Sequence, residues 1–180
     1  MGSMPQITVV GSLNMDFVVS VERLPAPGET VTGHDFQMLP GGKGANQACA
    51  AGKLGAAGRT RMIGRVGYDV FADRLKSSLA AAGVDVGHVQ ATRAQPTGVA
   101  LIWVDRNGLN SIVVSPGANE TLNWSDVPAM GPVFGGSRFA LFQLESPLET
   151  VDAAVRLARS EGAHFCRAAL HRDCMDVSSW

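Results

Sequence analysis

The chain has 180 residues, of which 46% are hydrophobic and 17% are charged, and its formal net charge is −1. This length and balance are typical of one globular domain and exclude a disordered polymer. The near-neutral charge excludes a strongly basic surface for nucleic acid or acidic membranes, and no apolar run is long enough to span a bilayer.

The first part of the chain alternates apolar extended runs with segments of helical character. Strands are predicted at 7–10, 18–21, 30–39 and 61–66, and helices at 45–54 and 69–82. A turn rich in proline and glycine separates the second and third of these strands. The strand, helix, strand, helix order predicts an α/β fold with a mostly parallel sheet and crossover helices.

The middle of the chain interrupts this alternation. Residues 98–104 and 111–114 are rich in β-formers, and the Asn-Gly pair at 107–108 between them predicts a hairpin. Because this hairpin and segment 30–39 do not fit the alternating series, we expect them to form a small separate sheet. The series then resumes with a helix at 125–130, a strand at 139–144, a helix at 148–160 and the start of a strand at 164–166.

The run Pro-Gly-Gly-Lys-Gly-Ala-Asn at 40–46 is the most informative stretch. Gly41 and Gly42 let the backbone approach a ligand closely, and a helix start favours oxygen-rich or anionic partners. Lys43 and Asn46 add donors from the same turn. A nucleotide-binding P-loop is excluded, because Lys43 is followed by Gly44 and the upstream glycine spacing differs. A glycine-rich turn into a packed helix stays open as a purely structural interpretation.

Three carboxylate and amide side chains follow predicted strands. Asn14 and Asp16 come after the first strand, and strand alternation puts both on one face. Open α/β sheets bind ligands at the carboxyl ends of strands, and an aspartate can accept hydrogen bonds from two hydroxyls. Glu145 follows the strand at 139–144. Structural alternatives are an Asx turn for the first two and a first-turn helix glutamate for Glu145.

The cysteines and histidines near the C-terminus do not predict a metal site. His164, Cys166, His171 and Cys174 match no common structural zinc spacing. Three cysteines, an odd number without a secretory signal, favour reduced thiols and a cytoplasmic location.

Six segments, taken together and in order, resemble the ribokinase branch of the carbohydrate kinase family. They are G-S-L-N-M-D, P-A-P-G-E-T-V, P-G-G-K-G-A-N-Q-A, T-G-V-A-L-I, S-P-G-A-N and Q-L-E-S-P-L-E. The resemblance implies a Rossmann-like sheet with flanking helices and a small β lid. Residues 5–166 would be the N-terminal part of this domain, with lid segments at about 17–39 and 97–115.

The resemblance also assigns roles to the polar residues. It implies that a pentose, foremost D-ribose, is bound by Asn14, Asp16, Gly41, Gly42, Lys43 and Asn46, with Glu145 holding the sugar from the other side. Lid strands, including 97–102 and Ile112, would cover the sugar. ATP, Mg²⁺ and a monovalent cation are the implied cofactors, and the implied partner is a second copy joined through the lid.

The family segments for ATP, magnesium, the anion hole and the catalytic base are expected downstream and are not found in this sequence. We therefore expect no catalytic residue in the chain and no kinase activity from it. Residues 169–173 can be encoded by codons that give Pro-Ala-Pro-Gly when they are read in another frame. We therefore interpret residues 167–180 as an aberrant tail produced by a frameshift after Gly162. A non-catalytic sugar-binding or dimerisation module and a non-functional fragment stay open as alternatives.

Overall fold

The computed structural model describes residues 7–56 and 58–168. Its strands are β1 (Ile7–Val10), β2 (Asn14–Val21), β3 (Gly33–Gly41), β4 (Thr60–Gly67), β5 (Val84–Thr92), β6 (Gly98–Val104), β7 (Asn110–Ser115), β8 (Phe139–Gln143) and β9 (His164–Ala168). Its α-helices are α1 (Lys43–Ala51), α2 (Val70–Ala81), α3 (Gly131–Phe134) and α4 (Leu148–Ser160). One π-helical turn (Gly52–Ala56) and two 3-10 segments (Gly117–Thr121 and Trp124–Met130) complete it.

The main sheet has five strands in the order β5-β4-β1-β8-β9, and every pairing is parallel. Successive residues of β1 face opposite sides, so Val9 and Val10 belong to two different hydrophobic clusters. The Val9 cluster includes buried side chains of α1 and α2, and the Val10 cluster includes those of α3, α4 and segment 124–130. Helices therefore flank both faces of a mostly parallel sheet, as predicted.

A second sheet, here called the lid sheet, has the strand order β3-β2-β6-β7. Strand β2 pairs antiparallel with β3 and parallel with β6, and β6 and β7 form the antiparallel hairpin expected from the Asn-Gly pair. β7 is exposed along its whole length, and β3 is exposed except at its last two residues. The separate sheet predicted from segments 30–39 and 98–114 is confirmed.

Asp69 ties the lid sheet to the main sheet. Its carboxylate accepts a hydrogen bond from the backbone N–H of Phe71 (3.1 Å) and so caps the start of α2. The same carboxylate accepts from the backbone N–H of Thr97 (2.7 Å) and from its hydroxyl (2.8 Å). Since Thr97 precedes the first residue of β6, one side chain fixes both a helix start and the entry of the chain into the lid sheet.

Several sequence predictions are corrected by the structure. The second strand, predicted at 18–21, begins at Asn14, so Asn14 and Asp16 lie in β2 and not in the Asx turn left open as an alternative. The strand predicted at 30–39 starts only at Gly33, and the helix predicted at 45–54 becomes a π-helical turn after Ala51. Strand β5 was not predicted at all.

The predicted aberrant tail at 167–180 lies mostly outside the described residues, which end at 168. No helix in the described ranges is both long enough and apolar enough to cross a membrane.

Candidate functional site

The candidate site lies where the main sheet passes into the lid sheet. Strand β1 ends at Val10, and three residues later Asn14 begins β2. In the lid sheet Asn14 pairs with Gly41, the last residue of β3, and with Gly98, the first residue of β6. Helix α1 begins at Lys43. The ends of three lid strands, the end of β1 and the start of α1 therefore meet in one place.

The two glycines before α1 are required by close packing. Gly42 has a φ of +93°, and a Cβ atom there would lie 2.7 Å from the backbone nitrogen of Asn14 and 2.8 Å from the carbonyl oxygen of Ser12. A Cβ atom at Gly41 would lie 2.1 Å from Oδ2 of Asp16. Since real side chains cannot approach so closely, only glycine lets the turn pass beside Asn14 and the Asp16 carboxylate.

Lys43 and Glu145 form an ion pair at the start of α1. The Glu145 carboxylate also accepts from the hydroxyl of Ser12 (2.7 Å) and from the backbone N–H of Lys43 (3.5 Å). Burial works against ionisation of Glu145, but the hydrogen bonds from Lys43 and Ser12 and the charge of Lys43 outweigh it and lower its pKa. Glu145 is therefore a fixed negative charge that holds the Lys43 ammonium in place.

Asp16 has the opposite electrostatic situation. Burial raises its pKa, the negative charge of Glu145 raises it further, and the positive charge of Lys43 only partly opposes them. Within the described ranges its carboxylate makes no hydrogen bond. A half-buried carboxylate without a protein donor is an acceptor pair that ligand hydroxyls could satisfy.

Asn14 is 4% exposed and bonded on one side of its amide. Its Oδ1 accepts a hydrogen bond from Nδ2 of Asn119 (2.8 Å). Asn46 differs, because it is exposed and its backbone N–H donates to the carbonyl of Gly42 (2.8 Å) as part of α1. The structure thus brings Asn14, Asp16, Gly41, Gly42, Lys43 and Glu145 together and leaves Asn46 one turn further on.

Three buried or half-buried polar groups that support this cluster were not predicted. Gln143, fully buried, accepts from the backbone N–H of Ser12 (3.2 Å) and donates to the carbonyl of Val10 (3.1 Å). Ser12 holds Glu145, and Asn119 holds Asn14. Gln143 and Asn119 lie inside the segments Q-L-E-S-P-L-E and S-P-G-A-N. These segments carried the resemblance, but the resemblance gave these two residues no role.

The described part of the chain offers no candidate metal site. No three His, Cys, Asp or Glu side chains come together there in a way that could hold a metal ion. His171 and Cys174, from the zinc pattern considered above, lie outside the described residues. The residues gathered at the site are hydrogen-bond donors and acceptors arranged around a glycine turn.

The chain is similar in sequence and in fold to known proteins. Ribokinase of Haemophilus influenzae is 40% identical over 156 residues, which cover 87% of this chain and 50% of that protein. Ribokinase of Giardia lamblia superposes with a TM-score of 0.81 at 32% identity, over 92% of this chain and 50% of that one. A structure of Arabidopsis thaliana ribokinase complexed with ribose and ATP gives a TM-score of 0.79 at 32% identity, over 91% and 53%.

The chain spans about half the length of these relatives. The sequence profile of the pfkB family carbohydrate kinases matches residues 4–176, nearly the whole chain. With its parallel sheet, its lid sheet and the glycine-lysine turn between them, the chain belongs to the pfkB family of carbohydrate kinases.

Proposed function

We propose that this chain is the sugar-binding part of a pentose kinase, an enzyme that transfers the γ-phosphoryl group of ATP to D-ribose and gives ribose 5-phosphate and ADP. In this reaction a sugar hydroxyl oxygen bonds to the γ-phosphorus as the bond to ADP breaks, and the hydroxyl proton is released. The cluster around Gly41, Gly42 and Lys43 would bind the sugar. The observation that carries the proposal is the half-buried Asp16 carboxylate, which has a raised pKa and no protein donor in the described ranges.

The donors and acceptors of the cluster match a polyhydroxyl ligand. Each sugar hydroxyl donates one hydrogen bond and can accept others. Asp16 would accept from hydroxyls, while Lys43 and Asn14 would donate to hydroxyl oxygens. Glu145 forms an ion pair with Lys43. We therefore propose that Glu145 acts on the sugar through its hold on the ammonium group.

ATP supplies the phosphoryl group in this proposal, with Mg²⁺ and a monovalent cation as further cofactors. The chain's own described residues would do the work of binding and orientation, which is a large part of phosphoryl-transfer catalysis. Asp16 and Lys43 would fix the sugar, and the lid sheet would limit the access of water to it. We further propose a cytoplasmic location, which the odd number of cysteines supports.

The lid sheet also supports a proposed homodimer. Residues paired across a sheet point to the same face, so Leu39, Ala100 and Val114 share the face of Asp16. Ile112 follows on the same face of β7, two residues from Val114. Leu39, Ile112 and Val114 are all exposed large hydrophobic side chains. An apolar face of this kind beside exposed strand edges is suited to pairing with a second copy.

Ribose titration by calorimetry tests the sugar site. We expect the wild-type chain to bind ribose and Asp16→Asn to bind about 10- to 100-fold more weakly, since one or more hydrogen bonds to a charged acceptor are lost. The exposed Asp73, in the first turn of α2, supplies the matched control, and Asp73→Asn should bind like the wild type. No ribose binding by the wild type, or equal binding by Asp16→Asn, would contradict the proposal.

ADP release in the presence of ribose, ATP and Mg²⁺ tests the expectation that this chain alone has no kinase activity. We expect ribose binding without ADP release, and measurable ADP release would contradict that expectation. Absence of ribose binding together with a stable dimer would favour a dimerisation module instead.

Size-exclusion chromatography with light scattering tests the dimer. Ile112→Glu should convert a dimer into a monomer, because it places a charge on the apolar face; an unchanged mass would contradict the lid as the interface.

A further inference from the structure

Asn119 is 2% exposed and lies in the 3-10 segment Gly117–Thr121. The orientation of its amide is fixed by backbone groups, whose donor and acceptor roles are not interchangeable. Its Oδ1 accepts from the N–H of Leu13 (2.9 Å), and its Nδ2 donates towards the carbonyls of Leu13 (3.1 Å) and Pro116 (3.0 Å). A reversed amide would place its NH₂ against an N–H and its oxygen against two carbonyls.

This fixed orientation determines the orientation of Asn14. Nδ2 of Asn119 also lies 2.8 Å from the Asn14 side chain, the shortest of its three contacts. One of its two hydrogens is then directed to Asn14 while the two carbonyls share the other, and the acceptor on Asn14 is Oδ1. The NH₂ group of Asn14 must then point away from Asn119. Within the described ranges it has no protein acceptor.

We propose that Asn119 is a positioning residue that makes Asn14 a hydrogen-bond donor, and never an acceptor, towards the sugar. The inference rests on the proposed function and deepens it. Asp16, when ionised, is an acceptor only, so the two neighbouring side chains offer one donor and one acceptor of fixed polarity. A ligand at this position must present an oxygen lone pair to Asn14 and a hydroxyl hydrogen to Asp16, as a polyol does. A ligand with two amine donors would be rejected.

Gly98 makes the contact between the amides of Asn14 and Asn119 possible. A Cβ atom at this position would lie 2.3 Å from Oδ1 of Asn14 and 2.4 Å from Nδ2 of Asn119. The first residue of β6 must therefore be glycine for the two amides to meet. The pair consequently depends on a lid strand, although Asn119 itself lies outside both sheets.

A double-mutant cycle in ribose affinity tests the role of Asn119. Asn119→Asp removes the donor, so the amide of Asn14 should turn and present its oxygen to the sugar. We expect ribose to bind about tenfold more weakly, the loss that corresponds to one hydrogen bond. In the Asn14→Ala background the same substitution should change affinity less than about twofold, because its route of action is gone. A tenfold loss in both backgrounds would overturn the proposal.

Thr150→Val is the control for a general loss of stability. The Thr150 side chain is also buried and donates one hydrogen bond to the carbonyl of Leu122 (2.8 Å), a residue of the hydrophobic cluster that contains Val10. Its loss should lower the melting temperature and leave ribose affinity unchanged. A loss of affinity in this control equal to that of Asn119→Asp would overturn a specific positioning role.

Side-chain amide hydrogen exchange, measured by NMR on the ligand-free wild type, tests the orientation without any variant. The NH₂ hydrogens of Asn119 should exchange slowly, and those of Asn14 clearly faster. In Asn119→Asp, where Asn14 becomes the donor, its NH₂ hydrogens should become protected. Equal protection of both amides in the wild type would overturn the proposal. This measurement tests the orientation of the Asn14 amide even if Asn119→Asp does not fold. It also does so if the wild type does not bind ribose, a result that would count against the proposed function.

Discussion

The main sheet and the lid sheet are made by the same chain but are stabilised in different ways. Strand β1 of the main sheet is covered on both faces, and Val9 and Val10 are each at most 1% exposed. Strand β7 of the lid sheet is exposed at every residue, although half of these residues are β-branched and apolar. β-propensity and backbone pairing therefore suffice to form β7, whereas burial stabilises β1 and the lid strand β2, whose Met15 is fully buried.

The comparison shows where the candidate site lies. The candidate site belongs to neither sheet alone, since Asp16 and Asn14 come from β2 while Lys43 and Glu145 come from the starts of α1 and the segment after β8. The well-packed sheet supplies the charge pair with low freedom of movement. The lid strand β2 supplies Asn14 and Asp16, which would face the sugar together with Lys43.

The largest expected effect is the difference in unfolding free energy lost when a side chain is shortened in each of the two sheets. Phe142→Ala, at a fully buried position in the cluster under α4, should lower the free energy of unfolding by about 3–5 kcal/mol. Val113→Ala, at a position of β7 that is 54% exposed, should change it by about 0.5 kcal/mol or less. Urea denaturation measures both. A loss above about 2 kcal/mol at Val113 would mean that the lid sheet is packed more closely in solution.

An intermediate effect is expected at the turn between the sheets. Gly42→Ala forces a side chain into a left-handed conformation and against the backbone of Ser12 and Asn14, so it should cost more than about 1–3 kcal/mol. Gly28→Ala is the control, because Gly28 also has a positive φ (+80°) but has no atom within 4 Å of an added Cβ. Thermal melts compare the two. Equal losses would show that the turn is not tightly packed.

The smallest expected effect is a gain in stability at Asp16. Because its pKa is raised in the folded state, the folded chain binds a proton more readily than the unfolded chain, and stability falls as the pH rises above 3.8. Asp16→Asn should therefore melt at a higher temperature than the wild type at pH 7. The difference should disappear below pH 3.8, where the wild-type carboxyl is neutral in both states. A variant that is less stable at pH 7 would contradict the assigned cause of the pKa shift.

Elements with an unbroken pattern could be predicted from the sequence. The bounds predicted for the first strand, for 98–104 and for 148–160 agree with β1, β6 and α4. Strand β5 was missed because its pairing with β4 shifts register between Arg61 and Ile63. That irregularity breaks the period of two, and Gly87, whose N–H donates to the Asp85 carboxylate (2.9 Å), has the appearance of a turn.

The site could be predicted only in part, because some of its residues act through contacts between distant parts of the chain. Asn14, Asp16 and Lys43 follow strands or begin a helix, which are local signals. Ser12 and Asn119 act through contacts with residues more than 100 positions away, and no local pattern reports such contacts. The same holds for the position of Asn14 within a lid strand, which depends on pairing with both β3 and β6.

The row Gly41, Asn14 and Gly98 at the base of the lid sheet has a mechanical consequence. Two of its three members are glycines. If the lid sheet turned about this row, Asn14 would lie on the axis. Strand β2 extends about 23 Å from this axis to Val21, so a swing of about 10° would move the tip by about 4 Å and leave Asn14 almost still. Such a turn would move the outer end of the lid sheet and leave the Asn14 amide in place.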